Sequence, residues 1–444
     1  MAEKKQKELR VVMFPGLSQG HITPFLELAK SLASHGLKIF FVSTPPNIKR
    51  IKLQAFELQG LDLVELAMEK LPTDGESSAD VVNIEEELDL LENPFEALLQ
   101  KLLPDFVIYD MMQHWVPRLA AKLPNPIPTI LFVILGVAKF SYMQGHLDTT
   151  SGNPTAKDLT VSPPVFPSPN IHFTLFEGRR AMELVYRKHA DGLSLADRAR
   201  ICMRESWAVA CNTCLELEGA YVEYLQSLVK RPVYPVGILM RKLPPLPVDD
   251  SCLQWLDRQP AASVVVLSFG SDNILTHQEL AAIAMGLQES NASFLWILPA
   301  QNDLPQGFQD KIREKGLVVT KWAPQLHILS HQSTGAFFTH GGWNSMTEGL
   351  RFGVPLIYLP MKFEHGLNAR LAKELKVGVE VSRNEEDGSF TKEDIRKAIR
   401  VIMVEGAQIK CNSAKICDML TSNNFQVSER NMRRFVSMLR TFNK

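Results

Sequence analysis

Long apolar runs are missing from this chain of 444 residues. The longest, "PTILFVILGVA" from Pro128 to Ala138, falls well short of the ~20 residues that cross a bilayer and reads instead as a buried strand. An excess of either charge is missing too. Forty-eight basic residues stand against 49 acidic ones, a net charge of −1, which gives no footprint for nucleic acid or an anionic membrane surface. Cysteine is scarce, with six in the whole length. Cys211 and Cys214 form a C-x-x-C, but no second pair and no histidine pair stands near enough to complete a zinc site, and the flanking "AVACNTCLELE" reads as a strand running into a helix, so reduced structural thiols are expected. The N-terminal "MAEKKQKELR" lacks the apolar stretch of a signal peptide. A cytoplasmic protein without an integral membrane segment or a nucleic-acid partner is the expectation. The dinucleotide fingerprint is absent as well: "FPGLSQGHITP" offers only Gly16 and Gly20 as G-x-x-x-G, and the second strand runs into "STPPN" with no acidic residue at its end.

What is present is an ordinary globular composition, 45% hydrophobic and 22% charged, in a chain long enough for two or three domains. Apolar runs alternate with helical patterns. Leu9–Phe14, Leu37–Ser43, Phe106–Tyr109 and Thr129–Val133 read as buried strands, with helices over Ile22–His35, Ile84–Leu103 and Trp115–Leu123. "GILMRKLPPLPVDD" then interrupts with three prolines and reads as a linker. The alternation restarts with strands at Val264–Phe269, Phe294–Leu298, Leu317–Thr320, Ala336–Thr339 and Leu356–Leu359, and helices at His277–Glu289 and Asn344–Phe352. Such alternation predicts α/β domains with parallel sheets covered on both faces. Two Rossmann-like domains facing a cleft are expected, over 1–236 and 251–425, with a linker at 237–250 and a last helix over 426–444. The Ser-, Pro- and Thr-rich stretch from Thr149 to Pro169 reads as a long surface loop, and "RNEEDGSF", Arg383 to Phe390, as a solvated turn.

Ligands of open parallel sheets collect beyond the carboxyl ends of the strands. "FFTHGGWNSMTEG", residues 337–349, sits at such an end. Gly341 and Gly342 allow close backbone approach, the following helix offers unpaired N–H groups and a partial positive charge, and His340, Asn344 and Ser345 add side-chain donors. A phosphate cradle fits this pattern; a tight strand-to-helix turn capped by Ser345 fits it as well. "WAPQ", Trp322 to Gln325, stands upstream and "FEHGLN", Phe363 to Asn368, downstream, supplying a ring that can stack on a base and groups that can hold hydroxyls. At the other candidate site, a lone histidine at a helix start, His21, is more often structural. Asp110, at the tip of "FVIYD" in the same sheet, shifts the balance, because a carboxylate on one ring nitrogen fixes the tautomer and stabilises imidazolium. Asp105, at the opposite end of that strand, reads as structural. His327 and His331 have no third ligand beside them, so no metal site is expected.

From Trp322 to His365 the chain resembles the signature box of plant UDP-sugar-dependent glycosyltransferases of family 1. "WAPQ", "THGGWNS", Glu348, "GVP" and Glu364 carry the resemblance, and "QGHITPFLELAKSL", "PDFVIYD" and "SVVVLSFGS" extend it over most of the chain. The resemblance implies the GT-B fold, an inverting transfer, and a set of roles. Trp322 would stack on uracil and the Ala323 backbone would pair with its edge. Gln325 and Glu348 would bind ribose, while His340, Gly341, Asn344, Ser345 and Ser271 would hold the diphosphate. Trp343, Glu364 and His365 would face the sugar. His21 would deprotonate the acceptor with Asp110 in support, and the amphipathic last helix would cross back to the first domain. Gly341 replaces the family's usual cysteine, and His365 its usual glutamine. Glucose is the first expectation for the donor; His365 resembles members that use galactose or a pentose. The acceptor would be a hydroxyl of a small plant metabolite of triterpenoid, steroid or flavonoid type, or its glycoside, since "FLELAKSLASHGLKIFFVSTPPNIKRI" and "GLNARLAKE" look most like the branch that extends sugar chains. Met111–Trp115, Phe132–Tyr142 and Phe173–Val185 would line its pocket. UDP-sugar would be a co-substrate, no metal would be required, and a monomer is expected. A UDP-sugar epimerase of the same fold and a non-enzymatic UDP-sugar-binding protein stay open as alternatives.

Overall fold

The computed structural model describes residues 8–53, 59–67, 87–149, 153–189, 191–246, 250–270, 273–299, 304–312, 315–362, 365–421 and 424–442. Strands β1 (Arg10–Phe14), β2 (Lys38–Ser43), β3 (Leu61–Glu65), β4 (Phe106–Tyr109), β5 (Thr129–Val133), β6 (Ala208–Cys211) and β7 (Val233–Pro235) form the first sheet, in the order β3-β2-β1-β4-β5-β6-β7. Strands β8 (Val264–Ser268), β9 (Ser293–Ile297), β10 (Gly316–Val319), β11 (Thr334–Thr339), β12 (Leu356–Tyr358) and β13 (Gly378–Glu380) form the second, in the order β10-β9-β8-β11-β12-β13. Neighbouring strands run parallel in both sheets. The central strands are buried end to end, as helices on both faces require, and so they read as unbroken apolar runs.

The connectivity creates one switch point per sheet. From β1 the chain builds outward through β2 and β3, then returns to lay β4 on the other side of β1. From β8 it builds through β9 and β10, then returns to lay β11 beside β8. Loops leaving the two central strands diverge there and open a crevice. The two crevices face each other, because groups beyond the end of β11 touch groups beyond the end of β1, as described below.

The helix Asn424–Phe442 lies on the first domain. Phe435 packs on Tyr234 of β7 with centroids 5.9 Å apart, Phe442 meets Trp207 at 4.3 Å, and Arg440 Nη2 donates to the His35 carbonyl at 2.8 Å. The described part of the stretch expected as a surface loop is instead anchored. Leu159 and Phe166 are buried, and Tyr142 donates its hydroxyl to the Leu159 carbonyl at 2.5 Å. Among the described residues no helix is long and apolar enough to cross a membrane. Cys211 and Cys214 are buried; burial pushes the Cys214 thiol up to about 12 and raises that of Cys211 as well, which leaves both as unreactive core groups.

Candidate active site

The first switch point holds the histidine. After β1 the chain passes through Pro15–Ser18 into the helix Gln19–Ser34, where the Ser18 carbonyl accepts from the His21 and Ile22 amides at 3.0 Å each. His21 is thus in the first turn, and its side chain leans back toward the strand ends. Phe14 and Tyr109 are paired across β1 and β4, so Asp110, the next residue, emerges beside it. His21 Nδ1 and Asp110 Oδ2 lie 2.7 Å apart. Asp110 is 1% exposed, and its other oxygen accepts from the Met112 amide at 3.2 Å; the His21 side chain keeps 21% exposure toward the cleft. Position 16 must be glycine, since a Cβ there would stand 2.8 Å from His21 Nδ1. Gln113 Nε2 ties the two loops together by donating to the Pro15 carbonyl at 2.8 Å.

Sequence reasoning missed what holds these loops. Arg198, buried, donates to Asp89 at 2.7 and 3.0 Å, to Asp191 at 2.9 Å and to His114 Nδ1 at 3.1 Å, which pins the segment after Asp110. Burial and the adjacent guanidinium hold His114 below the usual histidine range, so it stays neutral. Glu218 is also buried. It accepts from the Ala138 amide at 2.8 Å and the Thr213 hydroxyl at 2.6 Å, joining the start of the helix Val137–Thr149 to the end of β6; burial pushes its carboxyl up to about 7.

The second switch point holds the glycine turn. His340, Gly341 and Gly342 link β11 to the helix Trp343–Arg351. Gly341 has φ +97°, a left-handed conformation that favours glycine, and a Cβ there would meet the His365 carbonyl at 3.0 Å. A Cβ on Gly342 would stand 2.6 Å from His340 Nε2. The glycines therefore make room for the imidazole, which crosses the His365 ring edge-on at 4.6 Å. Asn368, which ends the "FEHGLN" stretch read as able to hold hydroxyls, is buried and secures the turn: its Nδ2 donates to the Gly341 carbonyl at 2.8 Å. Along the helix, Asn344, Ser345 and Glu348 share the partly open face, while Met346, Thr347 and Leu350 are buried. Trp322 is 81% exposed, a large ring left open to solvent beside the half-buried Gln325. Gln325 Nε2 donates to Glu348 Oε2 at 2.7 Å, and Arg241 of the linker donates to Oε1 at 2.8 Å, a partner no local pattern announced. Ala323 is nearly buried, with its carbonyl taken by the Gln325 amide. Ser271 and Glu364 lie outside the described residues.

Two placements differ from expectation. Trp343 was expected to face the sugar; its indole is buried against Gly136 in the first domain and donates to the Asn212 carbonyl at 3.0 Å, so its one side-chain donor is spent on the interface. Trp115 and Tyr142, expected in the acceptor pocket, are core residues: Trp115 packs on Phe14 and Phe95, and Tyr142 on Phe166 and Phe173. Asn344 also makes an unexpected contact. Pro24 has no N–H for the Gly20 carbonyl one turn back, and Asn344 Nδ2 supplies a donor to it at 3.3 Å. The helix carrying His21 and the helix of the glycine turn therefore touch across the cleft. At His365, Nδ1 accepts from the Lys362 amide at 3.1 Å, so the neutral ring carries its proton on Nε2. Among the described residues no cluster of three or more His, Cys, Asp or Glu side chains could hold a metal ion.

The family described as UDP-glucoronosyl and UDP-glucosyl transferase matches residues 222–420, and the family of glycosyltransferase N-terminal domains matches residues 7–240. UDP-glycosyltransferase 91C1 of Arabidopsis thaliana is 37% identical over 440 residues, spanning 94% of each chain. The cyanidin-3-O-glucoside 2-O-glucuronosyltransferase of Bellis perennis is 34% identical over 435 residues, again 94% of each. Among solved structures, UGT2 of Phytolacca americana, complexed with UDP-2fluoro-glucose and pterostilbene, is 27% identical with a TM-score of 0.80, covering 97% of this chain and 99% of that one.

Proposed function

The chain belongs to the plant family 1 UDP-sugar-dependent glycosyltransferases, enzymes of the GT-B fold, and from that membership we propose that it transfers a sugar with inversion onto a hydroxyl of a small-molecule glycoside, with His21 as the general base. The observation that carries this reading is the 2.7 Å contact between His21 and a fully buried Asp110 at the switch point opposite the glycine turn. A glycoside acceptor is supported by the Bellis relative, whose name gives it cyanidin-3-O-glucoside as substrate.

The acceptor hydroxyl gives its proton to His21 Nε2 as its oxygen attacks the anomeric carbon. The carbon–oxygen bond to the β-phosphate breaks, and its electron pair leaves with UDP. Asp110 stabilises the imidazolium that forms. The growing charge on the diphosphate is met by the N-terminus of the helix Trp343–Arg351, by His340 and by Ser345, so no metal is required. Trp322 stacks on uracil, and Gln325 and Glu348 bind ribose; the expected monomer would be complete with the groups of one chain. Incubation with UDP-glucose tests the reading: UDP should accumulate only with a hydroxylated acceptor present. Conversion to an epimeric UDP-sugar without sugar transfer to an acceptor would point to an epimerase, and unchanged UDP-glucose with every acceptor to a binding protein.

The donor sugar is glucose in the first instance, with galactose or a pentose next. His365 is the reason for the second group. A neutral imidazole has one donor and one acceptor on opposite sides of a rigid ring, where a glutamine amide would offer a donor and an acceptor side by side, and Nδ1 of this buried histidine already accepts from the Lys362 amide. In competition among equimolar UDP-glucose, UDP-galactose, UDP-arabinose and UDP-xylose, His365→Gln is expected to shift the product ratio toward glucose by roughly ten-fold, the scale of one hydrogen-bond mismatch. An unchanged ranking would remove position 365 as the selector.

A further inference from the structure

A cavity of about 290 Å³ opens where the domains meet, between the helix Leu175–Leu184 of the first and residues 360–362 and 380–385 of the second. Its placement is informative. One wall is a segment expected to line the acceptor pocket; the other is made by residues 360–362, just beyond β12, and by residues 380–385 at the end of β13.

The charges lining it are unequal. Two of its carboxylates, Glu177 and Glu380, are engaged by a single cation, Arg370, at 2.8 and 3.7 Å. The third, Glu385, is exposed. Against them stand four more cations, Arg180, Lys362, Lys373 and Arg383. Arg383 is the unusual one. It begins the charged run that reads as a solvated turn, yet its side chain folds inward over Phe390, 5.1 Å from the ring centroid. Nη1 donates to the Gly388 carbonyl at 2.7 Å; among the described residues Nη2 meets only the Met361 sulfur, at 4.0 Å, and Nε is buried without an acceptor. No carboxylate among the described residues forms an ion pair with it, although Glu279, Glu177 and Glu380 act on it from farther away. Burial lowers the Arg383 pKa and outweighs those carboxylates. A half-buried guanidinium with a buried Nε and no ion-paired carboxylate among the described residues gains from an anion that arrives to meet it.

We propose that this cavity binds a carboxylate at Arg383 and Lys362, and that the acceptor glycoside carries it. The volume suits one sugar-sized ring. The acceptor would then present its hydroxyl to His21 while an acidic ring, such as a uronosyl group, occupies the cavity. The second half of this proposal rests on the glycosyltransferase reading above; the first half does not.

Glucuronate and glucose, which differ by a carboxylate against a hydroxymethyl, separate the two halves. Titrated into the UDP-saturated protein and followed by ligand-observed NMR, glucuronate is expected to bind at least ten-fold more tightly than glucose. Arg383→Gln and Lys362→Gln should each reduce that preference several-fold, with melting temperature and UDP affinity retained. Equal binding of the two sugars by the wild type, or a preference kept by both variants, overturns the site. A matched pair of acceptors, 4-nitrophenyl β-glucuronide and 4-nitrophenyl β-glucoside, tests the source. A lower KM for the glucuronide that disappears in Arg383→Gln supports an acceptor-borne carboxylate. Equal KM values, with free glucuronate altering the rate on the glucoside, overturn that half and leave a site for a free anion. Failure of the transferase reading itself would show differently, as no UDP release with either acceptor while the binding preference persists.

Discussion

His21→Ala is expected to lower kcat by roughly 10²- to 10⁴-fold, the contribution of a positioned general base, with UDP affinity unchanged. The reason is geometric. His21 sits in the first domain with Asp110 as its ring partner, whereas the glycine turn and the helix Trp343–Arg351 expected to hold UDP stand on the second. Removing it should therefore leave donor binding alone and leave the acceptor hydroxyl with no group to take its proton. Asp110→Asn should fall in the same direction by a smaller factor. An amide in place of Oδ2 can turn a donor toward Nδ1, which favours the wrong tautomer and withdraws the charge that stabilises imidazolium. Calorimetric titration with UDP and initial rates on one acceptor check both variants. Full activity of His21→Ala on an alcohol acceptor would remove the base.

His340→Ala is expected to weaken UDP binding by about 1.5–3 kcal/mol, roughly 10- to 150-fold, if the ring makes a charge-assisted bond to phosphate. The local structure is arranged around that ring. Gly270 and Gly342 border it on either side, with a Cβ at Gly342 excluded by Nε2, and His365 crosses it edge-on. Such preorganisation means the bond forms without reordering the side chain. Titration of the variant with UDP, beside its melting temperature, distinguishes a lost contact from a disturbed turn. Affinity equal to the wild type would take His340 out of the cradle, and a strict need for added magnesium would contradict a diphosphate held by protein groups alone.

The parts of the fold legible in the sequence were those that burial makes legible. Central strands such as β4 and β11, covered on both faces, leave unbroken apolar runs. The strands that escaped detection, β3, β7 and β13, lie at sheet edges, where short length and partial exposure erase the run. At the site, Asp110 and the glycine turn were legible because each follows a strand end directly, and His21 because it stands in the first turn of the helix after β1. What was not legible depends on partners far along the chain. Trp343 finds Asn212 across 131 positions, Arg241 finds Glu348 across 107, and Asn344 finds the Gly20 carbonyl across 324. Arg383 illustrates another limit. Composition marks its charged run as solvated and carries no sign that one member turns inward to Gly388 and Phe390.

The central claim is a single displacement at the anomeric carbon, driven by a base on the first domain with UDP leaving toward the second. The configuration of the product tests it most directly. With UDP-α-glucose and an acceptor glycoside, the new anomeric proton should show, by NMR, the large diaxial coupling of a β-glucoside, and that product should fade to trace in His21→Ala. An α-linked product, or a β-linked one formed equally well by His21→Ala, would contradict the account.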